Sequence, residues 1–223
     1  MIFTYKSHEP VNIMSGKVSV VATNSPIVFN DLISSINGFK NEVHLMSEQY
    51  KDLDLGKSID FDSDLFITHE LYKKYGRNIV SSVVDNFTDD TKSKVNKQIQ
   101  QTFSILQEAL FMTDLPIRLD YDGNVKRFLK YCRPQFDFGS VDDPYDIIIN
   151  DLKIHLECGM SSVPCFNNVN NFMEMSDFQN IVSEVELLQV PILLIEFTEN
   201  NNKQFYKNSQ YLFIDKDFVD WKD

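Results

Sequence analysis

Residues Thr88–Pro116 read TDDTKSKVNKQIQQTFSILQEALFMTDLP, and this stretch decides how the chain is organised. Val95, Ile99, Phe103, Leu106 and Leu110 recur every three or four residues, so the spacing predicts one helix with a single apolar stripe. Thr88, Asp89 and Asp90 supply an N-cap and acids suited to the positive end of a helix dipole, and Pro116 forbids continuation. At 1.5 Å per residue such a helix is about 35 Å long, more than a compact head of this size needs. It reads as an arm that projects and covers its stripe against something else.

The pattern extends outward to a helical block over 71–133. A first helix carries Tyr72, Tyr75, Ile79, Val83 and Phe87, with Gly76 inside it as a weak point worth about 1 kcal/mol against Ala. Ile117–Asp122 reads as extended, and Val125–Tyr131 as a third, basic helix. The block holds 11 Lys+Arg and 7 Asp+Glu, a balance of +4, while the rest of the chain holds 10 and 26, a balance of −16. Steering depends on the local field, so this asymmetry says more about partners than the net −12.

On either side the sequence reads as alternating strands and helices. Ile2–Tyr5 pairs with Val11–Ile13, and Lys17–Ala22 is a buried strand bracketed by Gly16 and Asn24. Pro26 opens a helix through Ile27, Val28, Leu32, Ile33 and Ile36 that ends at Gly38. Glu42–Ser47 and Leu65–Thr68 are short strands separated by a mobile acidic stretch with Asp52, Asp54, Asp60, Asp62 and Asp64. Head character returns after Phe136 and Phe138. Pro144 begins a helix through Leu156, Val163–Phe166 is a short strand, and 167–171 is an Asn-rich loop. Met175–Leu188 is helical, Pro191–Phe197 is apolar without alternation as a strand buried on both faces must be, and Tyr211–Ile214 is the last strand. The expected fold is therefore α/β. A head over 1–70 and 134–223 has a mostly parallel sheet, and a helical leg over 71–133 interrupts it.

Length and composition limit the function classes. At 223 residues, with 43% hydrophobic content and 18 Phe, the chain buries a core. No apolar run approaches the ~20 residues of a membrane span, and Met1–Lys6 does not read as a signal peptide. Three cysteines, Cys132, Cys158 and Cys165, have no metal-ligand spacing and suit a reducing cytoplasm. The strand-to-helix loop Thr23–Pro26 is where a P-loop fold would hold phosphate. It lacks the glycines and the Lys-Ser/Thr pair that do so, leaving the topology without the chemistry.

Lys126, Lys130 and Arg133 fall at i, i+4 and i+7, Arg127 lies beside them, and no acid occurs from Gly123 to Gln135. Such a face suits a phosphate backbone, although a merely solvated helix face reads the same way. Lys92, Lys94 and Lys97 form a second group, partly offset by Asp89 and Asp90. Asp120 and Asp122 alternate on the extended segment, so their carboxylates are expected on one side. There they either take part in holding Ca²⁺ or, for Asp122-Gly123, start the next helix. His8, His44, His69 and His155 lie in separate elements and read as structural, as does Glu196 at the end of the buried strand.

In order and spacing these elements resemble the ring-forming CRISPR-associated adaptation protein of type II-A systems. The matching stretches are Gly16–Val21 after the hairpin, the long helical insertion, Leu119–Asp122, Pro191–Phe197 and Tyr211–Asp215. The resemblance implies a P-loop-NTPase-like head with a degenerate phosphate loop and an extended helical leg. It also implies a homotetrameric ring whose inner lysines hold double-stranded DNA ends, and calcium supporting the assembly with Asp120 and Asp122 among its ligands. Such proteins act in spacer acquisition beside the integrase complex and the RNA-guided effector nuclease, and are not known as enzymes. Family members often supply a further acid on the following helix, whereas Gly123–Arg133 contains none, which leaves that metal site short. On the residues alone, the cations expected at DNA are Lys126, Arg127, Lys130, Arg133, Lys97 and Lys94. Two other readings remain open: a divalent-metal nuclease using Asp120, Asp122 and Glu196, or a degenerate nucleotide-fold scaffold that only recruits proteins.

Overall fold

A computed structural model describes residues 1–62, 71–134 and 143–222. The Cα trace divides into two units, Met1–Glu70 with Phe138–Asp223, and Leu71–Asp137.

The first unit is built on β3 (Val18–Thr23), every residue of which is buried. It pairs in parallel with β8 (Ile192–Phe197) on one side and β9 (Gln210–Ile214) on the other. β7 (Val163–Asn167) and β6 (Ile59–Asp62) continue the parallel run beyond β8, and β10 (Asp220–Lys222) closes the opposite edge antiparallel to β9. Alternate residues of β3 and β8 enter two different cores. Val18, Val20, Ile192 and Leu194 face one cluster, and Val21, Leu193 and Ile195 face the other. A strand covered on both faces has no polar side to show, which is why these runs are apolar without alternation.

α6 (Pro144–Glu157) and α7 (Met175–Leu188) supply the first core, and α1 (Pro26–Ile36) the second. Also over the second core lies an antiparallel sheet of β2 (Val11–Asn12), β1 (Ile2–Tyr5), β4 (Val43–Met46) and β5 (Asp52–Leu53), in that order. Ser25 caps α1 and Pro26 fills its first position, where a missing N–H costs nothing. Gly16 turns the chain into β3 with φ +68°, and a Cβ there would come within 2.7 Å of Gln189 Nε2.

Three expectations need correction. From Asp52 to Asp62 the acidic stretch is ordered: it forms β5, the single-turn α2 (Leu55–Ser58), and β6, a strand of the main sheet, while Asp64 lies outside the described residues. Ile59 and Phe61 alternate with Asp60 and Asp62, a period-two pattern that the density of acids concealed. Ile214 does not end the last strand, because β10 follows. It is tied back to the N-terminus by Asp220, whose Oδ1 lies 2.6 Å from His8 Nδ1 and whose Oδ2 accepts the Glu9 amide at 2.8 Å. The Asn-rich run includes a 3-10 turn over Val169–Asn171. The strand expected over Leu65–Thr68, and Phe136 and Phe138, lie outside the described residues.

The second unit holds α3 (Leu71–Asp85), α4 (Asp89–Leu110) and α5 (Val125–Tyr131), with α5 against both α3 and α4. α3 stops before Phe87, so that residue belongs to the turn between helices. Among the described residues no helix is long and apolar enough to cross a membrane.

Candidate nucleic-acid interface

Local chemistry sets where the charges of the helical unit stand. Thr88 caps α4 by accepting the Thr91 amide at 3.1 Å, and Asp89 and Asp90 occupy the first turn. The connection after α4 is lashed back along that helix. Gln107 donates Nε2 to the Ile117 carbonyl at 3.1 Å and accepts the Leu119 amide at 2.7 Å. Further back, the Tyr121 hydroxyl donates to Asn96 Oδ1 at 2.7 Å, and its ring lies 5.4 Å from that of Phe103. Asp120 is thus carried between two anchored residues and exposes its carboxylate, which has no ion pair or hydrogen bond among the described residues.

Asp122 is placed differently. Its Oδ1 accepts the Asn124 amide at 3.0 Å across Gly123 (φ +72°), and Asn124 in turn caps α5 by accepting the Arg127 amide at 3.0 Å. Its Oδ2 lies 2.7 Å from Arg127 Nη1. Calcium takes six to eight oxygen ligands. One open carboxylate beside one already bound to a guanidinium does not provide them, and no group of three or more His, Cys, Asp or Glu that could hold a metal occurs among the described residues. The donor set among the described residues does not fit the ion.

The expected row of uncompensated cations is only partly found. Lys126 Nζ sits between the two oxygens of Asp85, at 2.9 and 3.0 Å. Arg127 is on Asp122, and Lys94 pairs with Asp90 one turn earlier at 2.6 Å. Asp85 is 41 residues from Lys126, so no reading of the local window would have paired them. Arg133 leaves the helical face, since α5 ends at Tyr131 and Arg133 itself has φ +49°. What remains is Lys97, Lys130 and Arg133, all exposed and without an ion pair among the described residues. Arg77 and Arg118 share that condition and went unnoticed, because each stands alone in sequence.

The apolar stripe of α4 is buried only at Ile99. Farther along, Ile105, Leu106, Phe111, Met112, Leu115 and Ile117 are exposed, Phe111 and Met112 at 76% and 87%. A groove of about 500 Å³ runs beside them, lined by Phe103, Gln107, Phe111, Ile117 and Arg118 among others.

At the carboxyl ends of the parallel strands, polar groups are turned inward. Thr23 Oγ1 donates to the Ile214 carbonyl at 2.6 Å and accepts the Ser25 amide at 2.9 Å, while Ser25 Oγ accepts the Val28 amide at 3.4 Å. The hydroxyls and amides that would meet a phosphate thus bond to protein. Glu196, fully buried, accepts the Val169 and Asn170 amides at 2.9 and 3.4 Å. Burial pushes its carboxyl up to about 7 against the pull of those amides.

No family model matches the chain, and no curated protein does. Among solved structures it is similar to Stu0660 of Streptococcus thermophilus, with a TM-score of 0.56 and 12% identity over 96% of this chain and 74% of that one. A nucleotide-free ATP-binding cassette from an ABC transporter aligns over 99% of this chain and 88% of its own length. Its TM-score is 0.44 at 8% identity, too low to bear on the fold. The likeness to Stu0660 concerns the fold alone.

Proposed function

We propose that this chain is a non-catalytic double-stranded-DNA-binding protein that works as a ring of four copies. On the resemblance described above, its place is CRISPR spacer acquisition, beside the integrase complex and the RNA-guided effector nuclease. The head is then a P-loop-related scaffold whose phosphate loop has become an ordinary helix cap. One observation carries the reading: in a chain of net charge −12, the helical unit presents Lys97, Lys130 and Arg133 exposed and without an ion pair among the described residues. Cations that need not leave a partner meet phosphates at least cost, and the acidic remainder repels DNA from other surfaces.

Ring assembly rests on the exposed apolar run from Ile105 to Ile117, a surface of the kind that marks association. Calcium belongs to the same reading only as a ligand shared between copies, with Asp120 offering the open carboxylate and a neighbouring copy supplying the oxygens missing here. No step of DNA binding is assigned to it.

The test is duplex binding by fluorescence anisotropy across a salt series, with sedimentation alongside. Affinity should fall steeply with salt, by about one decade per decade of salt for each phosphate neutralised. Lys97→Glu/Lys130→Glu should abolish binding without changing the circular dichroism or the sedimentation coefficient. Unchanged affinity in that double variant, or a monomer at every concentration, would overturn the proposal.

A further inference from the structure

A groove of about 760 Å³ opens within the first unit, between the C-terminal end of α1, β4, β5 and α2. The buried side chains Ile36, Val43 and Leu45 lie beneath it, and the exposed Asp52 and Asp54 border it. Its field is negative for three separate reasons. Asp52 has no ion pair among the described residues, and Asp54 meets only Lys57, at 3.5 Å on open surface. Lys40, the cation that lines the groove, is already held by Asp31 at 2.6 Å. Finally, α1 ends here with no basic residue in its last turn, and its carbonyls at Ile33, Ser34 and Ser35 are met by neutral amides rather than by a cation.

The groove also runs along a sheet margin. β5 is the terminal strand of its sheet, and no strand pairs with its outer edge among the described residues. An open edge beside a groove is the arrangement that accepts an added strand.

We infer that this groove docks an extended, lysine- or arginine-bearing segment of a partner protein. The segment lies along β5, aliphatic stems rest on Val43 and Leu45, and the cationic ends meet Asp52 and Asp54. Nucleic acid and acidic peptides are repelled by the same carboxylates. The surface is separate from the cations assigned to DNA, so the inference stands or falls independently of the proposed function.

The experiment titrates the full chain with two labelled heptapeptides, one alternating valine with lysine or arginine and the other alternating valine with glutamate. The basic peptide should bind and the acidic one should not. Asp52→Lys/Asp54→Lys should weaken binding by at least about tenfold, equivalent to about 1.4 kcal/mol. Gly56→Phe should do the same with the charges intact. A Cβ at Gly56 meets nothing nearer than Asp54 Oδ1 at 3.6 Å, so the backbone tolerates the change while the ring fills the groove. Glu186→Lys/Glu199→Lys, an exposed pair elsewhere in the same unit, should change affinity less than about twofold. Equal losses in this control pair would reduce the effect to general attraction and overturn the inference. So would binding of the acidic peptide, no binding at low salt, or full binding by Gly56→Phe. Duplex binding measured on the same variants reports separately on the helical unit.

Discussion

Replacing His155 by Gln should remove a charged clamp from the middle of the first unit. The His155 side chain is 1% exposed, with Nδ1 2.8 Å from Asp151 Oδ1 and Nε2 3.3 Å from Asp60 Oδ2. Burial pulls the imidazolium down, but the hydrogen bonds to Asp151 and then Asp60 outweigh it and raise the group from 6.5 to about 9. That shift corresponds to about 3 kcal/mol favouring the protonated ring in the fold. Because the folded value is raised, the contribution is fully present below about 6.5 and is lost as pH rises through about 9. In His155→Gln the amide replaces one hydrogen bond, and the carboxylates of Asp151 and Asp60 lose the imidazolium that lies between them, at a cost of about 3–5 kcal/mol. Urea unfolding followed by circular dichroism at a series of pH values measures both effects. Wild type should lose stability relative to the variant between about pH 6.5 and 9, so the two curves converge at the alkaline end. A variant destabilised by less than about 1 kcal/mol at neutral pH, or a constant gap between the curves, would refute the reasoning.

Glu196 predicts a slope of the same sign at lower pH: its folded carboxyl is raised from 4.5 to about 7, so stability should fall as pH rises through that interval, and Glu196→Gln should flatten the urea midpoints there. Asp31 is held down to about 2 because its bonds to Lys40, Lys6 and Tyr5 outweigh burial. Its stabilisation should be complete above 3.8 and be lost as pH falls through about 2, and Asp31→Asn should abolish that acid-side dependence in the same unfolding assay. Phe111→Ser/Met112→Ser should shift sedimentation toward monomer with little change in thermal midpoint, because both side chains are exposed within one copy.

What could be read in advance was what a single element declares about itself. β3 and β8 announce their burial on both faces, α1 carries Ser25-Pro26 at its start, and α4 shows cap, stripe and stop together. β6 and β10 depend on relations that no local window contains. β6 is a strand because β7 lies beside it, and β10 is anchored by Asp220 to His8, 212 residues away. The cationic face of α5 failed for the same reason: the absence of acids from Gly123 to Gln135 is real, yet Asp85 arrives from another helix and Asp122 from just outside the window. Lys97 was legible because its helix partner positions hold no acid that reaches it.

These pairings rank the cations of the helical unit rather than discard any. The Arg127 and Lys94 side chains are about three-quarters exposed, so their ion pairs are worth at most about 1 kcal/mol each and do not lock the charges away. A phosphate that recruits Arg127, however, leaves Asp122 facing the same polyanion, and one that recruits Lys126 does the same to Asp85. Each gain then carries a nearby repulsion of similar size. Lys97, Lys130 and Arg133 carry no such penalty. Under the proposed function, a duplex would therefore draw its affinity first from those three, and the basic helix would contribute through its C-terminal end rather than along its whole face.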